Sequence, residues 1–264
     1  MVLRCGVIGN PIEHSLSPFI HHEFAKKAHM ELIYEKITGD DLNFENQVSA
    51  FFRLKGKGLN ITSPFKTRAF MAAQVKTARC NLAGAANTLW MDNNQLHADN
   101  TDGIGLVTDL NRYLKLAGKH VLILGAGGAV RGIIPALLSC NLGGITVANR
   151  NLKNKVAFHH DFPLIHFTHM DTISGCFDLI INATSASLEG NTIILPTQVM
   201  REKPFCYDLA YQRHVPTPFV FYAREQGCGA IDGLGMLVEQ AAESFYIWHE
   251  IRPYTAEVIK LLRT

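Results

Sequence analysis

Two ionisable side chains stand in short polar segments of this chain. Lys66 closes Asn60-Ile61-Thr62-Ser63-Pro64-Phe65-Lys66, and Asp102 lies within Asp99-Asn100-Thr101-Asp102-Gly103. A glycine-rich stretch, Val121 to Gly132, follows them. A lysine and an aspartate brought together beside a nucleotide-binding turn are the minimal equipment for moving a proton while a cofactor moves a hydride. Each segment reads as a strand running into a helix, the place where α/β folds put their chemistry. Either segment alone says little; their order, with the glycine turn close behind, says much more.

The glycine stretch begins with an apolar run, His120-Val121-Leu122-Ile123-Leu124, which predicts a buried strand. Gly125-Ala126-Gly127-Gly128-Ala129 then turns into a helix. Glycines there let the backbone approach a pyrophosphate, whose charge the helix N-terminus stabilises. The GxGxxG pattern is incomplete, because Val130 holds the third glycine position, so a tight turn that binds nothing is the alternative. An NAD-selective site places an acidic residue about twenty positions further on. Here the next strand ends in Asn149-Arg150, with Lys153 and Lys155 beyond. A guanidinium pairs with a phosphate where a carboxylate would repel it, so Arg150 and Lys153 point to NADP(H). The competing reading makes Arg150 a solvated residue at a helix start.

The elements that must position these residues alternate along the chain. Strands are expected at Cys5–Gly9, Leu32–Thr38, Gly58–Thr62, Ala85–Trp90 and Gln95–Ala98, with helices over Pro18–Ala28, Asp41–Phe52 and from near Pro64. The pair around Met91-Asp92-Asn93-Asn94 breaks the βα alternation and implies a mixed sheet. A helix is expected from Asp102 to about Leu116. Then come a strand at His120–Leu124, a helix to Ser139, a strand at Gly144–Ala148, a helix, and strands at Phe177–Thr184 and Phe205–Tyr211. The fold class is therefore α/β with two domains: an N-terminal mixed-sheet domain over 1–101 and a Rossmann-like parallel-sheet domain over 102–234. Helices over Leu234–Ile251 and Thr255–Leu262 are expected to complete the first domain.

Composition excludes several classes. The length of 264 residues suits two domains, and a hydrophobic fraction of 47% supplies the cores. A net charge of +2 gives no electrostatic case for nucleic acid or an anionic membrane surface. Cys5, Cys80, Cys140, Cys176, Cys206 and Cys228 are scattered singly, which reads as buried free thiols in a reducing compartment. With no signal-like or membrane-spanning stretch, a cytoplasmic protein is expected. Twelve histidines, including His21-His22 and His159-His160, lack metal-ligand spacing; surface or capping roles are expected, and no metal is assigned.

Several segments together resemble the shikimate dehydrogenase family. They are NPIEHSLSP (Asn10–Pro18), NITSPFK (Asn60–Lys66), GAANTL (Gly84–Leu89), DNTDG (Asp99–Gly103), GAGGAVRG (Gly125–Gly132), NATS (Asn182–Ser185), YDLAY (Tyr207–Tyr211) and DGLGMLVEQA (Asp232–Ala241). They come in family order and cover essentially the whole chain. The resemblance implies NADPH-dependent reduction of 3-dehydroshikimate to shikimate, within the synthesis of chorismate and the aromatic amino acids. It implies catalytic roles for Lys66 and Asp102, which on sequence alone read as a solvated helix residue and a helix N-cap. It implies that Ser15 and Ser17 bind the substrate carboxylate, and that Thr62, Asn87, Tyr211 and Gln240 hold its hydroxyls or carboxylate. Ser17-Pro18 also reads as an N-cap followed by proline in the first turn. The cofactor set it implies is Gly125, Ala126, Gly127, Gly128, Ala129, Asn149, Arg150, Lys153, Thr184, Leu209 and Gly233.

The chain departs from the family pattern at Asn151 and Asn154 beside Arg150, at Ala186-Ser187, where relatives usually have a glycine, and at Ser63, where valine is common. Two other readings remain open. One is a relative that also oxidises quinate, with broader substrate or cofactor use that extends to NAD, against which Arg150 argues; the other is a non-catalytic NADP-binding sensor, against which retention of Lys66 and Asp102 counts. The sequence leaves monomer and homodimer equally open.

Overall fold

The computed structural model describes residues 2–152 and 155–264. The chain divides into two compact units: the residues up to Gly105 with Leu237–Leu261, and Leu106–Met236 with Leu262–Thr264.

In the first unit the chain runs β1 (Leu3–Gly9), α1 (Ser17–Lys27), β2 (Leu32–Thr38), α2 (Phe44–Arg53), β3 (Gly58–Ile61), α3 (Lys66–Ala72), β4 (Val75–Lys76), α4 (Ala78–Ala83), β5 (Thr88–Asp92), β6 (Gln95–Asp99) and α5 (Asp102–Leu110). Its strands form one sheet in the order β2-β1-β3-β5-β6-β4. β1 pairs in parallel with β2 and β3, whereas β5 is antiparallel to both β3 and β6. The sheet is therefore mixed. The β5–β6 hairpin turns on Asn93 and Asn94, both at positive φ (48° and 60°), which asparagine tolerates better than most residues. Ile8, Phe44, Phe51, Leu59, Ile61, Phe65 and Leu89 pack the core of this unit.

The second unit continues with β7 (His120–Leu124), α6 (Gly128–Leu138), β8 (Gly144–Asn149), α7 (Lys155–Asp161), β9 (His166–His169), β10 (Leu179–Asn182), α8 (Thr197–Arg201), β11 (Phe205–Asp208), α9 (Pro218–Glu225) and β12 (Ala230–Asp232). The chain closes with α10 (Leu234–His249) and α11 (Ala256–Arg263). The strands of this unit form a sheet in the order β12-β11-β10-β7-β8-β9, and every pair is parallel. Counted from β7, that is the doubly wound 3-2-1-4-5-6 order, whose crevice opens between the first and fourth strands, β7 and β10. Val121, Ile123, Leu179, Ile181 and Tyr207 fill one face of this sheet, and Leu122, Leu124, Ile180 and Cys206 the other.

Several element ends differ from expectation, each for a local reason. The helix from Asp102 stops at Leu110, because Arg112 and Tyr113 donate to carbonyls three residues back and tighten the last turn. β10 ends at Asn182, whose Oδ1 takes the Thr184 N–H (3.2 Å) and Oγ1 (2.7 Å). β11 ends at Asp208, whose Oδ1 accepts the Ala210 N–H at 3.2 Å. β5 starts at Thr88, because the Ala86 N–H is spent on the Lys66 carbonyl, outside the sheet. The division between units falls after Gly105 and not at 101–102. Leu106 and Leu110 belong to the second core, while Asp102 is held by partners in the first unit. α10 is likewise divided, at Met236, and Arg263 closes the second unit by pairing with Asp232 through two bonds of 2.9 and 2.5 Å.

His21 corrects the expectation of surface or capping histidines. It is fully buried, stacked on Tyr34 at 4.4 Å and Trp248 at 5.4 Å, and neither ring nitrogen has a hydrogen-bond partner among the described residues. Burial, reinforced by His249 and His22, pushes its pKa down to about 3; burial and the charge of Lys57 push His249 down to about 4. In the unfolded chain both titrate near their ordinary value of about 6.5, so the unfolded state binds more protons below that pH. Stability is therefore expected to fall as pH drops from about 6.5, at up to about 1.4 kcal/mol per unit for His21 and less for the partly exposed His249, and the slope to flatten as pH approaches their folded values. Denaturant midpoints across that range check this, and His21→Phe should show a shallower decline.

All six cysteines are free; Cys5, Cys80, Cys206 and Cys228 are buried, but Cys176 is exposed. Among the described residues no helix is long and apolar enough to cross a membrane, and no three His, Cys, Asp or Glu side chains are placed to hold a metal ion.

Candidate active site

Lys66 opens α3, and the residue before it anchors that helix start. Phe65 is fully buried and stacked on Phe44 with centroids 4.7 Å apart and rings 3° from coplanar. Asp102 opens α5 and is not its cap; its N–H donates to Asn100 Oδ1 at 3.1 Å, and Asn100 Nδ2 donates to the Ala85 carbonyl at 2.9 Å. Asp99, at the head of the same segment, is gripped by Arg79 through two bonds of 2.7 and 2.5 Å and by the Thr77 hydroxyl at 2.6 Å. Both segments are thus fixed at their bases, with the reactive groups at the free ends.

Those ends meet. Lys66 Nζ donates to Asp102 Oδ2 at 2.6 Å, with the side chains 26% and 10% exposed. The other carboxylate oxygen, Oδ1, accepts from Asn87 Nδ2 at 2.8 Å. Gln240 Oε1 lies 3.4 Å from the same Asn87 nitrogen. Lys66, Asp102, Asn87 and Gln240 are therefore one connected cluster in the first unit. An ammonium held against a carboxylate at the rim of a buried polar patch can deliver a proton to an oxygen placed beside it.

Thr62 directly follows β3, half-buried, with its N–H on the Ile8 carbonyl at 2.9 Å. Ser15 and Ser17 lie at the start of α1, where the structure corrects the capping assignment. Leu16 is the N-cap, without a side-chain cap bond, and Ser17 is the first helical residue. Ser15 Oγ instead accepts the Ser17 N–H at 3.3 Å. The boundary lies one residue earlier because the Ile20 N–H donates to the Leu16 carbonyl at 3.1 Å, which draws Ser17 into the first turn. Ser17→Ala is accordingly expected to leave the denaturant midpoint nearly unchanged. Ser15→Ala should cost stability near the low end of the capping range, about 0.5 kcal/mol. Equilibrium unfolding of both variants checks the reversal.

In the second unit the glycine turn leaves β7 at the crevice. Gly125 adopts φ +102°, a conformation that favours glycine. Gly127 is the N-cap of α6, without a side-chain cap bond, and Gly127, Gly128 and Ala129 are exposed while Ala126 is half-buried. A Cβ added to Gly127 or Gly128 would meet nothing within 4 Å, so an open cradle lies over the N–H groups of the first helical turn. Asn149 ends β8, its Nδ2 on the Asn151 carbonyl at 2.8 Å, and Arg150 follows, exposed and in no ion pair among the described residues. Lys153 lies outside the described residues. Thr184 follows β10 and Leu209 follows β11, with the Leu209 N–H on the Asn182 carbonyl at 2.8 Å. At Gly233 a Cβ would fall 2.4 Å from the Leu209 carbonyl oxygen, so only glycine permits that approach. Tyr211 belongs to this unit, half-buried, with burial raising its phenol pKa.

Sequence reasoning missed the support beneath both regions. In the first unit Tyr34, Asn60, Thr88, Thr101 and Ser244 are buried and mutually bonded. In the second, buried Asp208 accepts from Ser187 and Thr217 hydroxyls (2.6 Å each) and from Asn182 at 3.0 Å, tying together the loops that carry Thr184 and Leu209. The available signal was polar residues inside strand segments, such as Asn60 in Gly58-Leu59-Asn60-Ile61.

The second unit has the doubly wound sheet and glycine turn of a nucleotide-binding fold, and the relatives of this chain place it among the oxidoreductases. Comparison with known proteins narrows this. Residues 7–89 match the shikimate dehydrogenase substrate binding domain, 109–218 the shikimate / quinate 5-dehydrogenase model, and 233–263 the shikimate 5'-dehydrogenase C-terminal domain. The NADP(+) shikimate dehydrogenase of Legionella pneumophila (strain Lens) is 58% identical over 264 residues, covering 100% of both chains. The crystal structure of an Ael1 enzyme from Pseudomonas putida is 42% identical with a TM-score of 0.93, covering 99% of this chain and 98% of its own. Shikimate 5-dehydrogenase from Thermus thermophilus, solved in complex with NADP(H) and shikimate, is 27% identical with a TM-score of 0.88, covering 99% and 98%. The chain belongs to the shikimate dehydrogenase family.

Proposed function

We propose that this chain catalyses the reversible NADPH-dependent reduction of 3-dehydroshikimate to shikimate, with Lys66 and Asp102 as its catalytic pair. The observation that carries the reading is the 2.6 Å bond from Lys66 Nζ to Asp102 Oδ2 within a cluster of neutral hydrogen-bonding side chains. NADPH supplies the hydride when bound. As charge develops on the substrate's carbonyl oxygen, the Lys66 ammonium stabilises it and donates a proton, so that C=O becomes CH–OH. Asp102 keeps the ammonium aimed, because its second oxygen is already committed to Asn87.

Within the first unit Ser15 and Ser17 would take the substrate carboxylate, and Thr62, Asn87 and Gln240 its hydroxyls or carboxylate. These are short or neutral groups that satisfy buried hydroxyls without adding charge. The cofactor's diphosphate fits the turn from Gly125 to Ala129, where the space above Gly127 and Gly128 is open. Asn149 and Arg150 would hold the ribose phosphate, with Thr184, Leu209 and Gly233 lining the remaining loops. The first unit would then be the substrate domain and the second the NADP domain. Six free thiols suit the cytoplasm.

The test is a steady-state assay of the purified chain with shikimate and quinate, each with NADP⁺ and NAD⁺. Shikimate with NADP⁺ should give the highest kcat/KM; absence of turnover with that pair would overturn the proposal.

A further inference from the structure

We infer that Thr88 and Ser244 are positioning residues for the catalytic pair, links in a one-way chain of hydrogen bonds that runs from Tyr34 to the Asp102 carboxylate. The chain lies wholly within the first unit. Tyr34 OH donates to Asn60 Oδ1 at 2.7 Å, and Asn60 Nδ2 donates to Ser244 Oγ at 3.0 Å. Ser244 Oγ and Thr88 Oγ1 are 2.8 Å apart; Thr88 Oγ1 donates to Asn87 Oδ1 at 2.9 Å, and Asn87 Nδ2 donates to Asp102 Oδ1 at 2.8 Å. Thr88 and Ser244 are fully buried, and Asn60 and Asn87 nearly so, so no bulk water competes for these bonds.

Two obligate backbone groups fix the direction. The Thr101 N–H can only donate, and it faces Asn87 Oδ1 at 2.9 Å, so the Asn87 amide must turn its NH₂ toward Asp102. The Asn87 carbonyl can only accept, and it lies 3.1 Å from Asn60 Nδ2, so the Asn60 amide must turn its oxygen toward Tyr34. The hydroxyl protons between them follow from the contact lengths. Thr101 Oγ1 accepts from Asn87 Nδ2 at 2.9 Å and gives its proton to the Gln240 carbonyl at 3.0 Å. Thr88 and Ser244 bring two protons to three contacts: 2.9 Å from Thr88 to Asn87 Oδ1, 2.8 Å between the two hydroxyls, and 3.1 Å from Ser244 to the Gln240 carbonyl. That carbonyl already accepts from Thr101, so the two shorter contacts take the protons and Ser244 donates to Thr88. Every dipole along the path points its positive end at the carboxylate. Bonds aligned head to tail in a dry interior polarise one another. The path therefore strengthens the Asn87 bond that holds Asp102 in place beside Lys66.

The inference rests on the catalytic reading of Lys66 and Asp102, and the experiment separates the two. Turnover, KM and NADPH affinity are measured for Thr88→Val, Thr88→Ser, Ser244→Ala and Asp102→Asn. Thr88→Val breaks the path, and Ser244→Ala leaves only the longer direct bond from Asn60 Nδ2 to Thr88 Oγ1 at 3.3 Å; both keep the Thr101 lock on Asn87. Each should lower kcat about 3- to 10-fold, with the KM for shikimate and the affinity for NADPH within about twofold. Thr88→Ser keeps the hydroxyl and should restore kcat. Unchanged kcat in Ser244→Ala overturns the inference, as does a fall in Thr88→Val that Thr88→Ser fails to restore, which would mark packing and not the hydroxyl. If Thr88→Val does not fold, Ser244→Ala decides, since it removes one oxygen and adds no bulk. Near-native turnover in Asp102→Asn would instead overturn the catalytic reading itself.

Discussion

Lys66→Ala should fold normally and turn over about 10²–10⁴-fold more slowly than the native chain, with a much smaller change in KM. The expectation follows from where the ammonium sits. It is a quarter exposed, bound to one oxygen of a carboxylate whose other oxygen is occupied, and carried on the first residue of a helix anchored by buried Phe65. Truncation removes the proton donor without opening a core cavity. Asp102 is left without its ammonium but keeps its bond from Asn87, so the pocket should hold its shape and substrate should still bind. Steady-state kinetics with shikimate and NADP⁺, beside a denaturant melt of the same preparation, separates lost chemistry from lost folding. Native turnover in a folded variant would remove Lys66 from the mechanism.

Arg150→Ala should weaken use of NADP⁺ by about 10- to 100-fold in kcat/KM and leave NAD⁺ nearly untouched, the range expected for losing a hydrogen-bonded charge partner. Arg150 follows the last residue of β8, exposed, with no carboxylate paired to it among the described residues. A guanidinium left free in that way at the edge of a nucleotide-binding sheet is available to a phosphate. Only NADP⁺ carries the 2′-phosphate, so the ratio between cofactors is the informative quantity. A parallel decline with both would show that Arg150 supports the loop and does not read the phosphate.

Much of the fold was legible because its signals are local. The runs at Leu32–Thr38 and His120–Leu124 are strands over the expected residues, and the asparagine turn divides β5 from β6 where polarity and turn propensity place it. What stayed hidden depends on side chains reaching across the sequence. Asn182 and Asp208 end their strands early by capturing nearby N–H groups, which no hydrophobic period reveals. β4, α4, α8, α9 and β12 are short and were not anticipated; β12 is only three residues long, too short to carry a pattern. For the site, Lys66 and Asp102 were conspicuous as polar ends of strand-to-helix segments, whereas Thr88 and Ser244 look like ordinary residues until Asn60 and Asn87 are seen on either side of them. Ser17 was misread as a cap, because a Ser-Pro pair looks alike whether the helix starts at the serine or just after it.

The division of the chain also has a consequence for the order in which the protein is made. The second unit is nearly continuous, so most of its residues leave the ribosome together and can close their core at once. The first unit begins synthesis earlier and finishes later. Trp248, packed with Cys5, Val7, Ile12 and Tyr34, and Ser244, on which Asn60 leans, are translated only after the continuous stretch Leu106–Met236 of the second unit. The N-terminal sheet must therefore wait, partly uncovered, while some 130 residues are added. A nascent chain arrested once residue 236 has emerged from the ribosome should carry a protease-resistant second unit and a susceptible first one, the reverse of the order in which they emerge.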